Sequence, residues 1–332
     1  STVGTCDKTH QSPYSGSRRN CSKASPYIVQ PTIDTRRVMR GLVNNGLVCA
    51  TNSVLQCLYA TQEYRDTLSH EKYNTNNGTV PGELHRLFRA LANQTSDSAC
   101  DSMPCVIALV TCMYATPQVG VMDDADTVFK CSLVALADAG DPACKELSEL
   151  WMIKKKEKFT CSQCKTERVM NTVASDITVN PTQEPLTCLQ EYMNTYSESY
   201  TVTDCYCNVC KRDTELSVVT TFVELPRLLC VKIARVRTST RDKSVTVYRN
   251  TANVRFAARL CCNNLLANAQ YELYAVVLHT GDPVTGHYSA IVKSDQTWMY
   301  VSDSFVRPMG MHFSFDKIGT TAYMVLYRRT PQ

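Results

Sequence analysis

The sequence predicts an α+β protein in which a helical half precedes a β-rich half. Apolar residues recur at helical spacing from Gly41 to about Leu150, whereas short β-branched and aromatic runs, separated by Gly, Pro, Asn and Asp, follow Trp151. This order is typical of α+β folds and differs from the alternation of a parallel βαβ sheet. The 332 residues suffice for two domains, or for one large domain with subdomains.

Composition and charge narrow the classes of protein that the chain can represent. Thirty-five Lys and Arg against 31 Asp and Glu leave a net charge of +4, too small to indicate a nucleic-acid partner. No apolar run approaches the ~20 residues of a membrane span, so we expect no membrane partner either. The 18 cysteines, whose spacings suggest metal binding, favour a reducing compartment. We expect a monomer in the cytoplasm, with the nucleus as a second location.

The N-terminal segment is basic and lacks sustained periodicity. Ser, Thr, Lys and Arg dominate residues 1–35, which we interpret as a mobile basic arm. The folded domain is expected over residues 36–332.

Helical periodicity is clearest in the first half of the chain. Residues 51–68 place Val54, Leu55, Leu58 and Tyr59 on one face, which predicts a half-buried helix. Asp124 and Asp126 stand where an N-terminal cap would lie. Further helices are predicted at residues 84–91, 105–114 and 128–136.

Eight short runs in the second half have the composition of β-strands. They are rich in β-branched and aromatic residues and are bounded by residues that favour turns. The predicted strands are residues 169–179, 216–223, 228–236, 244–248, 271–279, 288–293, 298–303 and 322–328.

Two Cys-x-x-Cys pairs in the β-rich half predict a metal site. The pairs are Cys161 with Cys164 and Cys207 with Cys210, and both lie in polar, Lys-rich segments typical of turns. Each pair can turn two sulfurs toward one ion, and four thiolates complete the tetrahedral coordination of zinc. Because four protein ligands leave no open position, we expect a structural zinc. Cys205 offers a fifth sulfur that could compete for a ligand position.

A cysteine directly follows a flexible loop and begins a predicted helix. The loop, residues 41–48, contains two Gly and two Asn, and Cys49 comes next. A helix N-terminus carries about half a positive charge, which favours a thiolate over a thiol. The pattern predicts Cys49 as a nucleophile near neutral pH, against the alternative of a buried cysteine that only begins a core helix.

A histidine near the C-terminal end completes a candidate catalytic group. His287 begins one predicted strand, and Asp303 ends the next, directly after Ser302. Such a hairpin can orient an imidazole that deprotonates a thiol. We prefer Asp303 over Ser302 as the orienting residue, because an ionised acceptor stabilises an imidazolium better than a hydroxyl does.

Four ordered motifs resemble the ubiquitin-specific protease family of cysteine isopeptidases. Residues 41–56 are similar to its cysteine box, and residues 271–288 are similar to its histidine box. Residues 225–235 resemble a strand that lies between these boxes, and the paired Cys-x-x-Cys motifs occur in the family at similar separation. The resemblance covers about residues 40–330.

The resemblance implies a papain-like fold of thumb, fingers and palm. By it, residues 36–150 are a helical thumb, residues 151–220 are zinc-tipped fingers and residues 221–332 are the palm. The implied activity is thiol-dependent hydrolysis of the bond after the C-terminal Gly-Gly of ubiquitin or a ubiquitin-like modifier.

The resemblance also implies roles for individual residues. Cys49 would attack the carbonyl, and His287 would act as its base and then as acid to the departing lysine amine. Asn44 matches the family's donor to the oxyanion, and Asp124 matches a residue that grips the extended tail of the modifier.

One position in the tail-binding segment departs from the family pattern. Thr127 stands where the family usually has a Glu that pairs with an arginine of the tail. A missing Glu and a compact core also occur in an interferon-induced member, which removes a two-domain, interferon-stimulated modifier, so we favour that modifier. The alternatives are a general deubiquitinase and a catalytically weak scaffold that binds the modifier. A zinc-ribbon nucleic-acid module and a protease of ordinary peptides are further alternatives.

Overall fold

Helices occupy the first part of the chain and strands most of the rest, which confirms the α+β prediction. The computed structural model describes residues 39–93, 95–114, 124–196, 199–241, 244–283 and 285–331. The predicted basic arm, residues 1–35, lies outside these described residues. None of the described helices is both long and apolar enough to cross a membrane.

Six α-helices precede the first strand in the described chain, and a seventh lies among the strands. The helices are α1 Cys49–Ala60, α2 Gln62–Leu68, α3 Val80–Ala92, α4 Met103–Met113, α5 Ala125–Ala137, α6 Pro142–Glu149 and α7 Leu189–Thr195, with 3₁₀ helices at Glu71–Thr75 and Phe315–Ile318.

The single helix predicted over residues 51–68 is two helices, α1 and α2. Thr61 adopts an extended backbone and separates them. Its hydroxyl donates to the carbonyl of Cys57 at 2.9 Å and lies 3.1 Å from the hydroxyl of Tyr274 on the large sheet. A tertiary contact therefore holds the break, and periodicity alone did not reveal it.

The strands form two larger sheets and two small ones. They are β1 Ile153–Cys161, β2 Glu167–Ala174, β3 Ile177–Val179, β4 Thr187–Cys188, β5 Ser199–Cys207, β6 Arg212–Glu224, β7 Leu228–Ile233, β8 Val236–Arg241, β9 Ser244–Arg249, β10 Val254–Arg255, β11 Arg259–Cys261, β12 Gln270–Thr280, β13 His287–Ser294, β14 Thr297–Ser302, β15 Phe305–Gly310 and β16 Ala322–Arg329.

The large sheet carries the C-terminal strands and has the order β15-β14-β13-β12-β16-β7-β3, with β11 paired to β12. A four-stranded sheet has the order β2-β1-β6-β5, and β8 pairs only with β9. The runs predicted over residues 169–179 and 228–236 are each two strands. Each break marks the point at which the chain leaves one sheet for another, as from β2 to β3 and from β7 to β8.

The core lies on both faces of the large sheet. One cluster joins helices α1 to α6 to one face, and a second packs α7 against the other face. All residues from Cys49 to Tyr59 of α1 are buried, so this helix is not the half-buried one that the sequence predicts. It lies between the other helices and strand β13, which leaves almost none of it in contact with solvent.

Candidate active site

The loop before Cys49 lies directly against the turn after β14. A Cβ on Gly41 would stand 2.5 Å from the carbonyl oxygen of Ser304, so only glycine permits this close approach. The backbone N–H of Leu42 donates to the carbonyl of Asp303 at 2.8 Å. Gly46 and Leu47 follow with φ of 122° and 53°, which turns the chain toward α1. These contacts fix the path of the chain toward Cys49.

Asn44 organises this loop through its side-chain amide. Its Oδ1 accepts from the backbone N–H of Gly46 at 3.0 Å and of Val48 at 3.4 Å. Its Nδ2 donates to Oδ2 of Asp303 at 2.9 Å. Because an amide nitrogen carries two hydrogens, one N–H of Asn44 is left for another acceptor.

Cys49 is the first residue of α1, as predicted, but its thiol is not a preformed thiolate. Burial raises the pKa of the thiol above its ordinary value, a backbone hydrogen bond at Tyr288 lowers it, and the charge of Asp303 raises it again. Loss of water around the sulfur outweighs the helix N-terminus, which the sequence analysis expects to favour the thiolate, so that part of the expectation is corrected. A base is therefore needed to remove the proton.

His287 contacts Ser302, not Asp303. The Nε2 of His287 lies 2.8 Å from Oγ of Ser302, which corrects the preference for Asp303 as its orienting partner. Side chains alternate between the faces of a strand. Extending the register from Ala290 opposite Val301 sets Ser302 on the face that His287 shares, and Asp303 on the other. With Nε2 bonded to Ser302, Nδ1 is the ring nitrogen left to serve a thiol.

Asp303 instead joins the loop before Cys49 to helix α1. It lies in the turn after β14 with φ of 51°. Its Oδ2 accepts from Asn44, and its Oδ1 accepts from Nδ2 of Asn52 at 2.8 Å. The amide oxygen of Asn52 in turn accepts from the hydroxyl of Ser102 at 2.6 Å. This carboxylate therefore sets the orientation of the two amides that flank Cys49 in sequence.

Asp124 caps α5, as predicted, and links that helix to the large sheet. Its Oδ1 accepts from the backbone N–H groups of Asp126 at 2.9 Å and Thr127 at 3.3 Å. Its Oδ2 accepts from the hydroxyls of Tyr288, at 3.2 Å, and Tyr323. The contact between Asp124 and a modifier tail stays a prediction. Residues 122 and 123 of that segment lie outside the described residues.

His279, a member of the histidine box without an assigned role, lies beneath the segment that leads to His287. Burial, together with the nearby charge of Arg249, lowers the pKa of His279 to about 4, so the ring is neutral near pH 7. The ring packs on Tyr288 with centroids 4.6 Å apart. A Cβ on Gly286 would stand 2.2 Å from Nε2 of His279, so glycine is required there.

The four predicted metal ligands lie together at the tip of the four-stranded sheet. All four sulfurs of Cys161, Cys164, Cys207 and Cys210 lie within 4.8 Å of one another. The Cys161–Cys210 and Cys164–Cys207 sulfurs are 3.9 and 3.6 Å apart. Tetrahedral zinc with Zn–S bonds of ~2.3 Å needs sulfurs about 3.8 Å apart, so this donor set fits the ion. Cys205 is not part of the cluster, since its thiol donates to the carbonyl of Thr203.

Some site residues carry no local signal in the sequence. Ser102 and Tyr323 reach the site only because α4 and β16 pack beside it. Ser302 could have been identified from the alternation of side chains along β13 and β14, counted from the short turn between these strands.

Comparisons with known proteins agree with this architecture. A chain of the SAGA Ubp8/Sgf11/Sus1/Sgf73 DUB module bound to ubiquitin aldehyde has a similar fold. The TM-score is 0.71 and the identity 17%, with 90% of this chain and 71% of that chain covered. This likeness confirms the predicted fold class.

Several curated relatives are named carboxyl-terminal hydrolases of ubiquitin or of a ubiquitin-like protein. Ubiquitin carboxyl-terminal hydrolase 26 of Arabidopsis thaliana is 25% identical over 90% of this chain and 30% of its own length. Human Ubl carboxyl-terminal hydrolase 18 is 24% identical over 48% of this chain and 47% of its own length. The chain thus spans less than half the length of these relatives. The ubiquitin carboxyl-terminal hydrolase profile matches residues 40–327, nearly all of the described chain, and the chain belongs to this family.

Proposed function

We propose that the protein is a thiol-dependent isopeptidase that hydrolyses the bond after the C-terminal Gly-Gly of ubiquitin or a ubiquitin-like modifier. One observation carries the proposal. Cys49 begins α1 beside the backbone of Tyr288, and the neighbouring His287 has its Nε2 bonded to Ser302. This arrangement leaves Nδ1 of His287 available to the sulfur.

In this proposal His287 takes the proton of Cys49 as the sulfur attacks the carbonyl carbon. The C–N bond to the lysine then breaks, and the imidazolium returns the proton to the departing amine. Water, deprotonated by His287, attacks the thioester. The C–S bond then breaks, which releases the modifier with a free carboxylate, and the imidazolium returns its proton to the sulfur of Cys49. Because burial raises the pKa of Cys49, transfer of the proton to the base accompanies the attack.

Asn44 is assigned as the donor to the tetrahedral oxyanion. Its second Nδ2 hydrogen is left over after the bond to Asp303, which supports this role. Asp303 is assigned as the residue that holds Asn44 and Asn52 in place, and Ser302 as the one that orients His287. Loss of one oxyanion donor typically costs ~100–1000-fold in rate.

Zinc is proposed as a structural ion at the cysteine cluster. Cys161, Cys164, Cys207 and Cys210 would hold it, and their number leaves no position open for a substrate or water. The bound ion would cross-link the turn after β1 to the turn after β5.

The preferred modifier remains a prediction. Thr127 is exposed in the first turn of α5, at a position where the family usually has Glu. This difference supports the interferon-stimulated modifier as the preferred substrate. The similarity to human Ubl carboxyl-terminal hydrolase 18, which is named for a ubiquitin-like protein, supports a substrate of this wider class. General deubiquitinase activity is the alternative.

Two electrophilic probes test the proposal. Ubiquitin and the interferon-stimulated modifier would each carry a thiol-reactive group in place of the C-terminal Gly. Mass spectrometry would detect the adduct, and peptide mapping would identify the labelled residue. We expect labelling of Cys49, abolished in Cys49→Ala and unaffected in Cys112→Ala, which changes an exposed thiol. Labelling by the interferon-stimulated probe alone would support the narrower specificity, whereas labelling by ubiquitin as well would indicate a general enzyme.

A catalytically weak scaffold is the second candidate. The neutral Ser302 at His287 and the raised pKa of Cys49 favour it. If neither probe labels the folded, zinc-loaded protein while both modifiers still bind, the scaffold is correct and the isopeptidase proposal is wrong.

A further inference from the structure

Strands β8 and β9 form a hairpin that is separate from the large sheet, yet its last residue reaches that sheet. Arg249 ends β9 and pairs with Val236 at the open end of the hairpin. Nη1 of its guanidinium donates to the carbonyl of Gly281 at 3.0 Å, and Nη2 donates to the carbonyls of His279 and, at 3.2 Å, Thr320.

This guanidinium binds main-chain carbonyls in place of a carboxylate. None of the described acidic residues forms an ion pair with Arg249, and burial lowers the pKa of its side chain. A charged donor that is partly removed from water binds carbonyl oxygens more strongly than a neutral donor does. The contact is therefore a specific attachment of the hairpin to the end of β12.

The base of the hairpin is itself fixed by a second arginine. Arg235 is fully buried and donates to the carbonyls of Asn250 at 3.2 Å and Ala322 at 3.0 Å, and also to those of Ala252 and Gly319. The residue that follows Arg249 is thus tied to the residue before β8. The hairpin base can therefore serve as a firm anchor for the Arg249 side chain.

Arg249 binds the carbonyls of His279 and Gly281, and these residues flank Thr280, the residue opposite His287. Thr280 pairs with His287 in the antiparallel ladder, and His279 and Gly281 stand on either side of Thr280. The backbones of Gly281 and Gly286 are in close contact, since a Cβ on Gly281 would stand 3.2 Å from Cα of Gly286. The position of His287 is therefore set by the segment that Arg249 holds.

We propose that Arg249 is a positioning residue for His287. By binding the carbonyls on both sides of Thr280, it fixes the end of β12 against which His287 is registered, and with it the direction of the imidazole toward Cys49. The inference rests on the proposed function, in which His287 is the base. Misplacement of a catalytic group by about 1 Å can cost ~100-fold in rate, so the loss of this attachment should be visible in catalysis.

The test compares Arg249→Met and Arg249→Lys with a matched control on the same hairpin. Arg237→Met removes a guanidinium from β8 that makes no described hydrogen bond to residues 279–281. Two rates are measured on the full chain. The first is alkylation of Cys49 by iodoacetamide, followed by peptide mapping, which needs no modifier. The second is hydrolysis of a C-terminal fluorophore conjugate of whichever modifier labels Cys49 in the probe experiment, resolved into kcat and KM.

We expect Arg249→Met to lower kcat by about 10- to 100-fold with little change in KM, and to slow alkylation of Cys49 toward the rate of His287→Ala. Arg249→Lys keeps the charge and can bind one carbonyl. Its kcat and its rate of Cys49 alkylation should therefore lie between those of Arg249→Met and the wild type. Arg237→Met should match the wild type. Thermal unfolding identifies which variants are folded at the assay temperature. If Arg249→Met is unfolded at that temperature, the test is made with Arg249→Lys.

A folded Arg249 variant whose kcat and alkylation rate equal those of Arg237→Met overturns the inference and leaves Arg249 a structural residue only. If His287→Ala itself does not slow alkylation of Cys49, the proposed function fails, and the inference fails with it. If His287→Ala slows alkylation but the Arg249 variants do not, only the inference fails.

Discussion

Replacing Asp303 with alanine tests whether this carboxylate acts through Asn44 or through His287. The change removes the acceptors at 2.9 Å from Asn44 and 2.8 Å from Asn52, and it leaves the contact of His287 with Ser302 intact. A hydrogen bond to a charged group contributes about 1.5–3 kcal/mol, and the exposure of Asn44 favours the lower end.

Without Asp303, Oδ1 of Asn44 keeps its contacts with the backbone of Gly46 and Val48, but Nδ2 loses the acceptor that directs it at the oxyanion. We therefore expect kcat to fall by about 10-fold if only the ~1.5 kcal/mol of this contact is lost, and by up to about 100-fold if the oxyanion donor is lost with it, with KM nearly unchanged. Ser302→Ala removes a neutral contact of ~1 kcal/mol and should lower kcat by less than about 10-fold.

A double-mutant cycle with Asn44→Ala makes the assay decisive. If Asp303 acts through Asn44, the double variant should hydrolyse a fluorogenic modifier substrate about as fast as either single variant. Additive losses would refute this reasoning, as would a larger loss in Ser302→Ala than in Asp303→Ala.

Three further predictions concern the cysteine cluster and the segment around His279. Elemental analysis should find equimolar zinc in the wild type and much less in Cys161→Ser, which should also unfold at a lower temperature, whereas Cys205→Ser should keep the zinc content and the unfolding temperature of the wild type. Gly286→Ala should cost about 1–3 kcal/mol of stability in urea unfolding and lower kcat, because its Cβ would stand 2.2 Å from His279. The folded-state pKa of His279, about 4, lies below its ordinary 6.5, so the unfolded chain binds more protons between these values. Its stabilising contribution, at most about 3 kcal/mol, should be full above about pH 6.5 and should be lost as the pH falls toward 4.

Each of these predictions has an outcome that contradicts it. Full zinc content in Cys161→Ser would remove this thiol from the ligand set. Normal activity in Gly286→Ala would mean that the segment can shift without displacing His287. For the pH effect, His279→Gln serves as the reference: if its stability falls with pH as steeply as that of the wild type, His279 is not the group responsible.

Residues whose roles depend on local spacing were predictable from the sequence. The two sulfurs within each Cys-x-x-Cys pair face the same point because the pair closes its own tight turn, and Cys49 begins α1 because the loop before it ends there. Asp124 caps α5 for a similarly local reason.

Properties that depend on packing were not predictable in the same way. The choice between Ser302 and Asp303 depends on which face of β14 meets His287, and the sequence alone favours the stronger acceptor. The pKa of Cys49 depends on how much protein surrounds the sulfur, which no local pattern records. The break at Thr61 likewise depends on a hydroxyl from a distant strand.

The burial of almost all of α1 has a consequence for how the sequence of this protein can change during evolution. Every residue from Cys49 to Tyr59 is enclosed, so almost any substitution there disturbs the core and the nucleophile together. By contrast, the four-stranded sheet carries many exposed side chains and the hairpin β8–β9 forms a sheet of its own, so both can vary at little cost to the core except at Arg249, which holds the end of β12. New recognition properties are therefore expected to arise in these peripheral elements, while the chemistry around α1 is inherited unchanged.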